Sequence, residues 1–528
     1  MKFVDELRYS IKSRATIIQV ISYETLRIHA AIFKVASELN REVFMWNRID
    51  GVRKWNDNTR EFEEENSDIR QSSQALEYFT EELGENSILL LEDFHPDIQE
   101  HEVGNIRRLR NIALANFNNK TLILSQPFPY LPKELEKEVE VIEIEYPNFA
   151  DLVAIYKKVY REFNNIQNSN DVPKPDDDLI EAALGLTIME AERAFAKAYV
   201  EDGELTSAQI PLIIKEKEKI IKKSGYLEYY HPSESLKDIG GLDNLKDWLK
   251  KRGRGFDKAA KDFGLEPPRG ILLLGIPGTG KSLTAKAIGS EWQFPLLRLD
   301  MGKIFGGIVG ESEQNIRSAL QIAEAIAPSI LWIDEIEKGM SGVASSGSTD
   351  GGTTARVLGT FLTWMQEKTK PVFVVATANN ISQLPPELLR KGRVDEIFFV
   401  DLPTKEERKE IIKIHLRKRN RKPEKFDIEK LAEISKGFSG AEIEEAIKEA
   451  LFQAYEDVSD LTTEYILNAI KKTYPLAKTM SEVIEDMRKW AKSRAVMASS
   501  GEPEKLEIKT EEKIPKLKQE QYNNPFIK

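Results

Sequence analysis

The run GIPGTGKS at residues 275–282 limits what this chain can fold into more than any other feature. An apolar stretch of strand length, ILLLG, leads into it, and a helix-forming stretch, SLTAKAIGSEW, follows. A strand that turns through glycines into a helix is part of a βαβ unit, which requires a parallel sheet covered by helices. The spacing is that of G-x-x-x-x-G-K-[ST], a loop whose glycines let successive backbone N–H groups close on a phosphate at the positive end of a helix. Gly275, Pro277, Gly278, Thr279, Gly280, Lys281, Ser282 and Leu283 are therefore candidate contacts to ATP. Lys281 is expected to reach the β- and γ-phosphates, and Ser282 to ligate Mg²⁺.

Residues 330–335 read ILWIDE. The apolar run makes a buried strand and delivers two carboxylates at its C-terminal end, where open α/β sheets bind ligands. Asp334 is expected to orient Mg²⁺ and its waters, and Glu335 to polarise the attacking water.

Strand and helix alternate through both halves of the 528 residues, a length that suggests about three or four domains. Strands are expected at 15–22, 42–46, 87–92, 120–125 and 139–144, then at 270–275, 295–300, 329–333, 371–376 and 396–400. Helices are expected over 150–165, 177–223 and from 405 to about 498. The halves also match locally and in the same order. SILLLEDF at 87–94 parallels SILWIDEI at 329–336, and LPKELEK at 131–137 parallels LPPELLR at 384–390. GLTIMEAERAFAKA at 185–198 parallels GFSGAEIEEAIKEA at 437–450, and LTSAQI at 205–210 parallels LTTEYI at 461–466. A duplicated α/β domain is the preferred reading.

Composition closes off several alternatives. A net charge of −11 argues against a simple basic nucleic-acid binder. The local basic runs at 250–261 and 416–425 read as solvated faces. With no cysteine, disulfides, thiolate metal sites and cysteine nucleophiles are excluded together. No apolar run approaches the ~20 residues of a membrane span. MKFVDELRYSIKSR at the N-terminus lacks the apolar core of a signal peptide. HEVGN at His101 breaks the HExxH spacing, which argues against a fused zinc protease. A soluble cytoplasmic protein without membrane contact is expected.

From 236 to about 498 the chain resembles the AAA ATPases, the clade that includes katanin, spastin and the proteasomal ATPases. DIGGL at 238–242 resembles the adenine-proximal entry motif, which implies base contacts at Ile239 and Gly240. ATAN at 376–379 resembles sensor 1 and implies Asn379 near the γ-phosphate and the lytic water. LLRKGRVDE at 388–396 resembles the arginine-finger segment, so Arg390 and Arg393 are expected to reach a neighbouring subunit's site. GFSGAE at 437–442 resembles the sensor-2 region and sets Gly440 and Ala441 against the nucleotide. His415 matches a lid-helix histidine beside base and ribose, and Arg356 resembles a subunit-interface arginine. In threading members a pore loop carries an aromatic; here 304–313 reads IFGGIVGESE, with Ile308 at that position.

The first half keeps the scaffold without the chemistry and reads as a nucleotide-dead AAA-like module for packing, assembly or partner recognition, with an unrelated α/β adaptor as the competing reading. ISYETLRIH at 21–29 has no glycine and no P-loop lysine, Glu92 and Asp93 end a strand with no phosphate loop beside it, and only Lys137 stands near a finger position. This arrangement is similar to an AAA family encoded in cyanobacterial and plastid genomes, whose ending TYPLAKTMSEVIEDMRKWAKSRA at 473–495 resembles. The resemblance implies a division into 1–228, a nucleotide-dead AAA-like domain with a helical lid; 229–403, the P-loop large subdomain; 404–498, the helical lid; and 499–528, a charged flexible tail. It also implies a homo-oligomer, a hexameric ring with arginine fingers in trans, acting on a protein client from the cytoplasm or the plastid stroma.

The expected activity is Mg²⁺-dependent ATP hydrolysis that remodels or regulates a protein partner. Two alternatives stay open on sequence alone: a slow nucleotide switch that threads nothing, favoured by Ile308, and a nucleic-acid-associated ATPase.

Overall fold

The structure, a computed structural model, describes residues 2–504 apart from 100, 116, 118, 128–129, 167–171, 224, 306–310, 340–350 and 391. The chain divides into two compact units, Met1–Ile220 and Ile221–Lys528.

The first unit is built on β1 (Ile17–Ile21), β2 (Glu42–Asn47), β3 (Gly51–Asn56), β4 (Glu61–Asn66), β5 (Ser87–Glu92), β6 (Lys120–Gln126) and β7 (Glu140–Glu143). They form one sheet in the order β4-β3-β2-β5-β6-β1-β7. Strands β2, β5, β6, β1 and β7 pair in parallel, while β3 and β4 add an antiparallel hairpin at one edge. Side chains alternate across each strand. Phe44, Trp46, Leu89, Leu91, Leu122 and Leu124 pack on one face under the helix Val103–Ala115. Ile18, Val20, Val43, Met45, Ile88 and Leu90 pack on the other under Thr25–Leu39. Full burial of such a side chain contributes roughly 1.5–3 kcal/mol, which is why five central strands this apolar end up covered on both sides. The helices Phe149–Asn164, Ile188–Asp202 and Ile210–Lys223 enclose a separate helical core around Tyr156 and Phe195.

The second unit repeats the plan with β8 (Leu227–Tyr230), β9 (Gly270–Gly275), β10 (Leu296–Leu299), β11 (Ser329–Ile333), β12 (Val372–Ala378), β13 (Glu396–Val400) and β14 (Val496–Met497). The order is β14-β13-β9-β12-β11-β10-β8. Five parallel strands again run fifth, first, fourth, third, second in chain order, as β7-β1-β6-β5-β2 do in the first unit. A helical lid follows, with Lys405–Lys418, Gly440–Glu456 and Thr463–Lys472 closing on Ile412, Ile447 and Leu467.

Each expected strand is present. The hairpin β3–β4, β8 and β14 were not expected. The segments 51–56 and 61–66 are half exposed and carry little apolar alternation, although Asp50-Gly51, with Gly51 at φ +73°, is a hairpin signal in the sequence. Two of the expected domain limits, 228/229 and 498/499, differ from the structure. A boundary at 228/229 would cut β8, which pairs antiparallel with β10 and belongs to the second sheet. The lid does not run to 498: Ile484, Met487 and Ala491 of the helix Ser481–Arg494 pack into the large-subdomain core, and β14 pairs with β13. The start of the tail is seated, since Ser499 Oγ donates to Glu407 and Glu504 pairs with Arg408 at 3.1 Å. Residues 505–528 lie outside the described residues.

Candidate active site

The loop after β9 folds around two left-handed glycines, Gly278 at φ +77° and Gly280 at φ +93°. A Cβ at Gly278 would stand 2.9 Å from Ser439 Oγ and 3.0 Å from the Ala441 Cβ, so only glycine lets the lid come this close. Ala441 N–H donates to the Gly278 carbonyl at 3.0 Å, tying the lid helix Gly440–Glu456 to the loop. On the other side, a Cβ at Gly240 would meet Ile411 Cγ1 at 2.6 Å, which explains a glycine in the entry segment.

Between these walls lies a cavity of about 360 Å³. Of the residues expected from sequence, Ile239, Gly240, Pro277, Gly278, Thr279, Gly280, Lys281, Ser282, Leu283, Glu335, Asn379, His415, Gly440 and Ala441 line it. Thr377, Ile411, Ile414 and Glu444 line it as well and were not foreseen. Gly275, in the strand, and Asp334, behind Ser282, stand just outside the lining. Arg390 is exposed and Arg393 partly exposed, and neither lines the cavity; Arg393 Nη1 has no hydrogen-bond partner among the described residues. Arg356 is exposed on the helix Gly351–Glu367. Ile308 falls outside the described residues.

Lys281 is buried, and its Nζ donates to the carbonyls of Gly275 at 2.9 Å and Ile276 at 2.7 Å. Burial pushes its ammonium down to about 8, against the opposing pull of the Glu337, Asp334 and Glu335 carboxylates. At the end of β11, Asp334 Oδ1 accepts from Ser282 Oγ at 2.8 Å and from Thr377 Oγ1 at 2.7 Å. Thr377 Oγ1 in turn accepts the Glu335 N–H at 2.9 Å. Thr377 stands at the end of β12, two residues before Asn379. Glu335 adopts φ +49°, a left-handed turn that non-glycine residues rarely take and that throws its carboxylate toward the loop. One oxygen accepts from Asn379 Nδ2 at 2.9 Å and the other pairs with Lys338. Asn379 N–H donates to the buried Glu337 at 2.8 Å.

His415 sits in the cavity wall with burial holding its imidazole far below the usual range, at about 4, so the ring is neutral. Arg419 Nη1 donates to the His415 carbonyl at 3.1 Å, and its Nη2 donates to Glu444 at 2.9 Å. Gly241 N–H donates to Glu410 and Leu242 N–H to Glu407, which join the entry segment to the lid helix Lys405–Lys418.

The corresponding place in the first unit is filled by its own side chains. The loop between β1 and the helix Thr25–Leu39 is only 22–24, against 276–280 in the second unit. Glu24, buried, accepts the Ile188 N–H at 2.5 Å at the start of a lid helix and pairs with Arg27 at 2.9 Å. A carboxylate thus stands where a helix N-terminus would face a phosphate. His29, one turn into the helix Thr25–Leu39, has its Nε2 2.8 Å from Oε1 of Glu92 at the end of β5, and Asp93 repeats the φ +49° of Glu335.

Comparison with known proteins agrees with this architecture. Residues 271–402 match the ATPase family associated with various cellular activities (AAA), and 425–468 match the AAA+ lid domain. Residues 3–144 and 156–224 match the N-terminal and second domains of SpoVK-like AAA ATPases. The chain is 42% identical to the AAA domain-containing protein ycf46 of Guillardia theta over 95% of its length and 97% of that protein. It is 41% identical to the ycf46 protein of Trieres chinensis, over 95% and 99%. Similarity to a cell division cycle protein 48 homolog of Archaeoglobus fulgidus is 36% and covers 49% of this chain and 36% of that protein.

Proposed function

The chain belongs to the AAA ATPases, in the group of ycf46 AAA domain-containing proteins, and from that premise we propose how its ATP hydrolase activity works and what it serves. The observation that carries the reading is the linked network from Ser282 through Asp334 and Thr377 to Glu335 and Asn379, set beside the glycine loop in one cavity.

Adenine packs beside Ile239, Gly240 and the neutral His415, and the phosphates lie along 277–283. Lys281 exchanges two carbonyl partners for phosphate oxygens, which restores its full charge where burial now depresses it. The hydroxyl of Ser282 and the carboxylate of Asp334 are hard oxygen donors already in contact, a set that suits Mg²⁺ with water and phosphate completing its shell. Bound there, Mg²⁺ would offset charge on the phosphate oxygens. Glu335 leaves Lys338 to orient the attacking water, while Asn379 holds its other oxygen. Arg390 and Arg393, outside the cavity of their own chain, act on a neighbouring subunit's nucleotide in a homo-oligomeric ring.

The first unit is the nucleotide-dead partner, with Glu24 and His29 in the places of phosphate and metal. Lid motion then works on a protein client, and similarity to ycf46 proteins is compatible with a plastid stroma or an equivalent bacterial cytoplasm. Among the described residues no helix is long and apolar enough to cross a membrane. Ile308, in place of an aromatic, favours a second reading in which the chain switches a partner without threading it.

Turnover per subunit measured against protein concentration tests the ring. Turnover that rises with concentration, is lost in Glu335→Gln and Arg390→Ala, and is poisoned when Arg390→Ala is mixed into wild type is the expected result. Concentration-independent turnover with a silent Arg390→Ala removes the shared-site ring and leaves the monomeric switch.

A further inference from the structure

We propose that Glu337 is a positioning residue for hydrolysis: through the Asn379 main chain it fixes the amide that holds Glu335. The inference rests on the roles given above to Glu335 and Asn379.

The ladder between β11 and β12 ends at the pair Ile333–Ala376. Beyond it, the backbone of 377–379 on that side has no strand to bond to. Two side-chain contacts take over: the Thr377 hydroxyl accepts the Glu335 N–H, and Glu337 Oε1 accepts the Asn379 N–H at 2.8 Å. The second is made by a carboxyl group that is 4% exposed and whose Oε2 has no hydrogen-bond partner among the described residues. The carboxyl group is buried while accepting only backbone N–H groups, those of Asn379 and of Glu337 itself, so it stays there at a cost in lost hydration. Perturbed, partly satisfied carboxyls of this kind concentrate at functional sites. Burial, with the charge of Glu335 adding to it, pushes the Glu337 carboxyl up, and Glu337 is foremost among the carboxylates that sustain the charge on Lys281. Its contacts therefore converge on the hydrolytic groups: the Asn379 backbone directly, Glu335 one bond further, Lys281 through space. Removing the anchor frees residue 379 to shift, and a displacement on the order of 1 Å in a positioning group costs roughly 10²-fold in rate.

Steady-state ATPase kinetics and ATP-analogue affinity on the full chain test this, with Glu337→Ala, Glu337→Gln, Glu337→Asp, Asn379→Ala and the Glu337→Ala/Asn379→Ala double variant. Glu337→Ala is expected to lower kcat about tenfold or more with KM and analogue affinity within about twofold, the signature of an interaction used in the transition state. Glu337→Gln, whose amide oxygen accepts the same N–H, is expected to recover kcat to within about threefold of wild type. The double variant should be no slower than the worse single, because both changes break one linkage. Unchanged kcat in Glu337→Ala, a loss confined to KM, a Gln variant as slow as Ala, or losses that multiply in the double variant each overturn the proposal. Should Glu337→Ala not fold, Glu337→Asp decides: shortened by one methylene it loses reach, and a folded Asp variant with full kcat overturns the proposal. If Glu335→Gln keeps its turnover, the reading of the site fails regardless of Glu337. If Glu335→Gln is inactive and Glu337→Ala is not, only the positioning role fails.

Discussion

Lys217 shows at the scale of one residue how burial and charge trade against each other. Its side chain is 4% exposed in the helical core of the first unit and donates to the Ala182 carbonyl at 3.2 Å. Burial pushes its ammonium down from 10.5 to about 7. Below pH 7 the group is charged folded and unfolded, and the whole penalty of burying the charge opposes folding. Between pH 7 and 10.5 the unfolded chain holds the extra proton, so this group's contribution to stability climbs with pH. Lys217→Met should therefore stabilise the first unit on the order of 2–4 kcal/mol at pH 6, with the gain fading toward pH 10, in calorimetric unfolding at several pH values. The same scale marks what sequence reading of the site could see. Lys281, Ser282, Asp334 and Glu335 were legible because their spacing along one strand–loop–helix unit carries the chemistry. Thr377 and Glu337 were not singled out, because their value comes from β12 lying beside β11, a pairing no local spacing reports.

At the scale of the element, the C-terminal helix Ser481–Arg494 shows why the lid boundary was misjudged. Its apolar face differs little from that of a lid helix, and sequence alone cannot say which core it covers. The structure decides with Ile484 and Met487 in the large-subdomain core and with Arg488, whose guanidinium makes bonds of 2.8–3.1 Å to Asp401. The Asp401 side chain is 6% exposed, so removing its partner strands a buried charge. Arg488→Ala should cost about 3 kcal/mol in the unfolding transition of the second unit, read by calorimetry. Arg488→Lys should recover only part of that, since one ammonium cannot copy a planar fork. The hairpin β3–β4 is hard to see for the opposite reason: Glu61, Glu63 and Glu64 leave β4 mostly exposed, without the alternation that betrays a half-buried strand.

For the whole molecule, the duplication was legible from matched segments, and the shared strand order agrees with it. The lack of a glycine loop in the first half was legible in the sequence; the side chains that meet at that place were not, because Glu24 and Ile188 are far apart in the chain. One consequence can be counted. A slowly hydrolysed ATP analogue should bind at about one per chain by calorimetry, and Lys281→Ala should reduce that binding to near zero. Two equivalents per chain would mean that the first unit keeps a working pocket.

The return of the chain at its C-terminal end has a mechanical meaning. The polypeptide enters the lid at 401–404 and leaves it at 473–475, and both crossings end on the large subdomain. Near the first, Ser499 and Glu504 grip Glu407 and Arg408; near the second, the Leu476 N–H is held by Glu442 at 2.7 Å, at the start of the helix that touches Gly278. The lid is held as well where Ala441 meets Gly278 and where Glu407 and Glu410 take the N–H groups of Leu242 and Gly241, so it is fastened to the large subdomain at several places. Any swing of the lid would have to carry or break these fastenings together, which makes its opening a concerted event and not a local loosening.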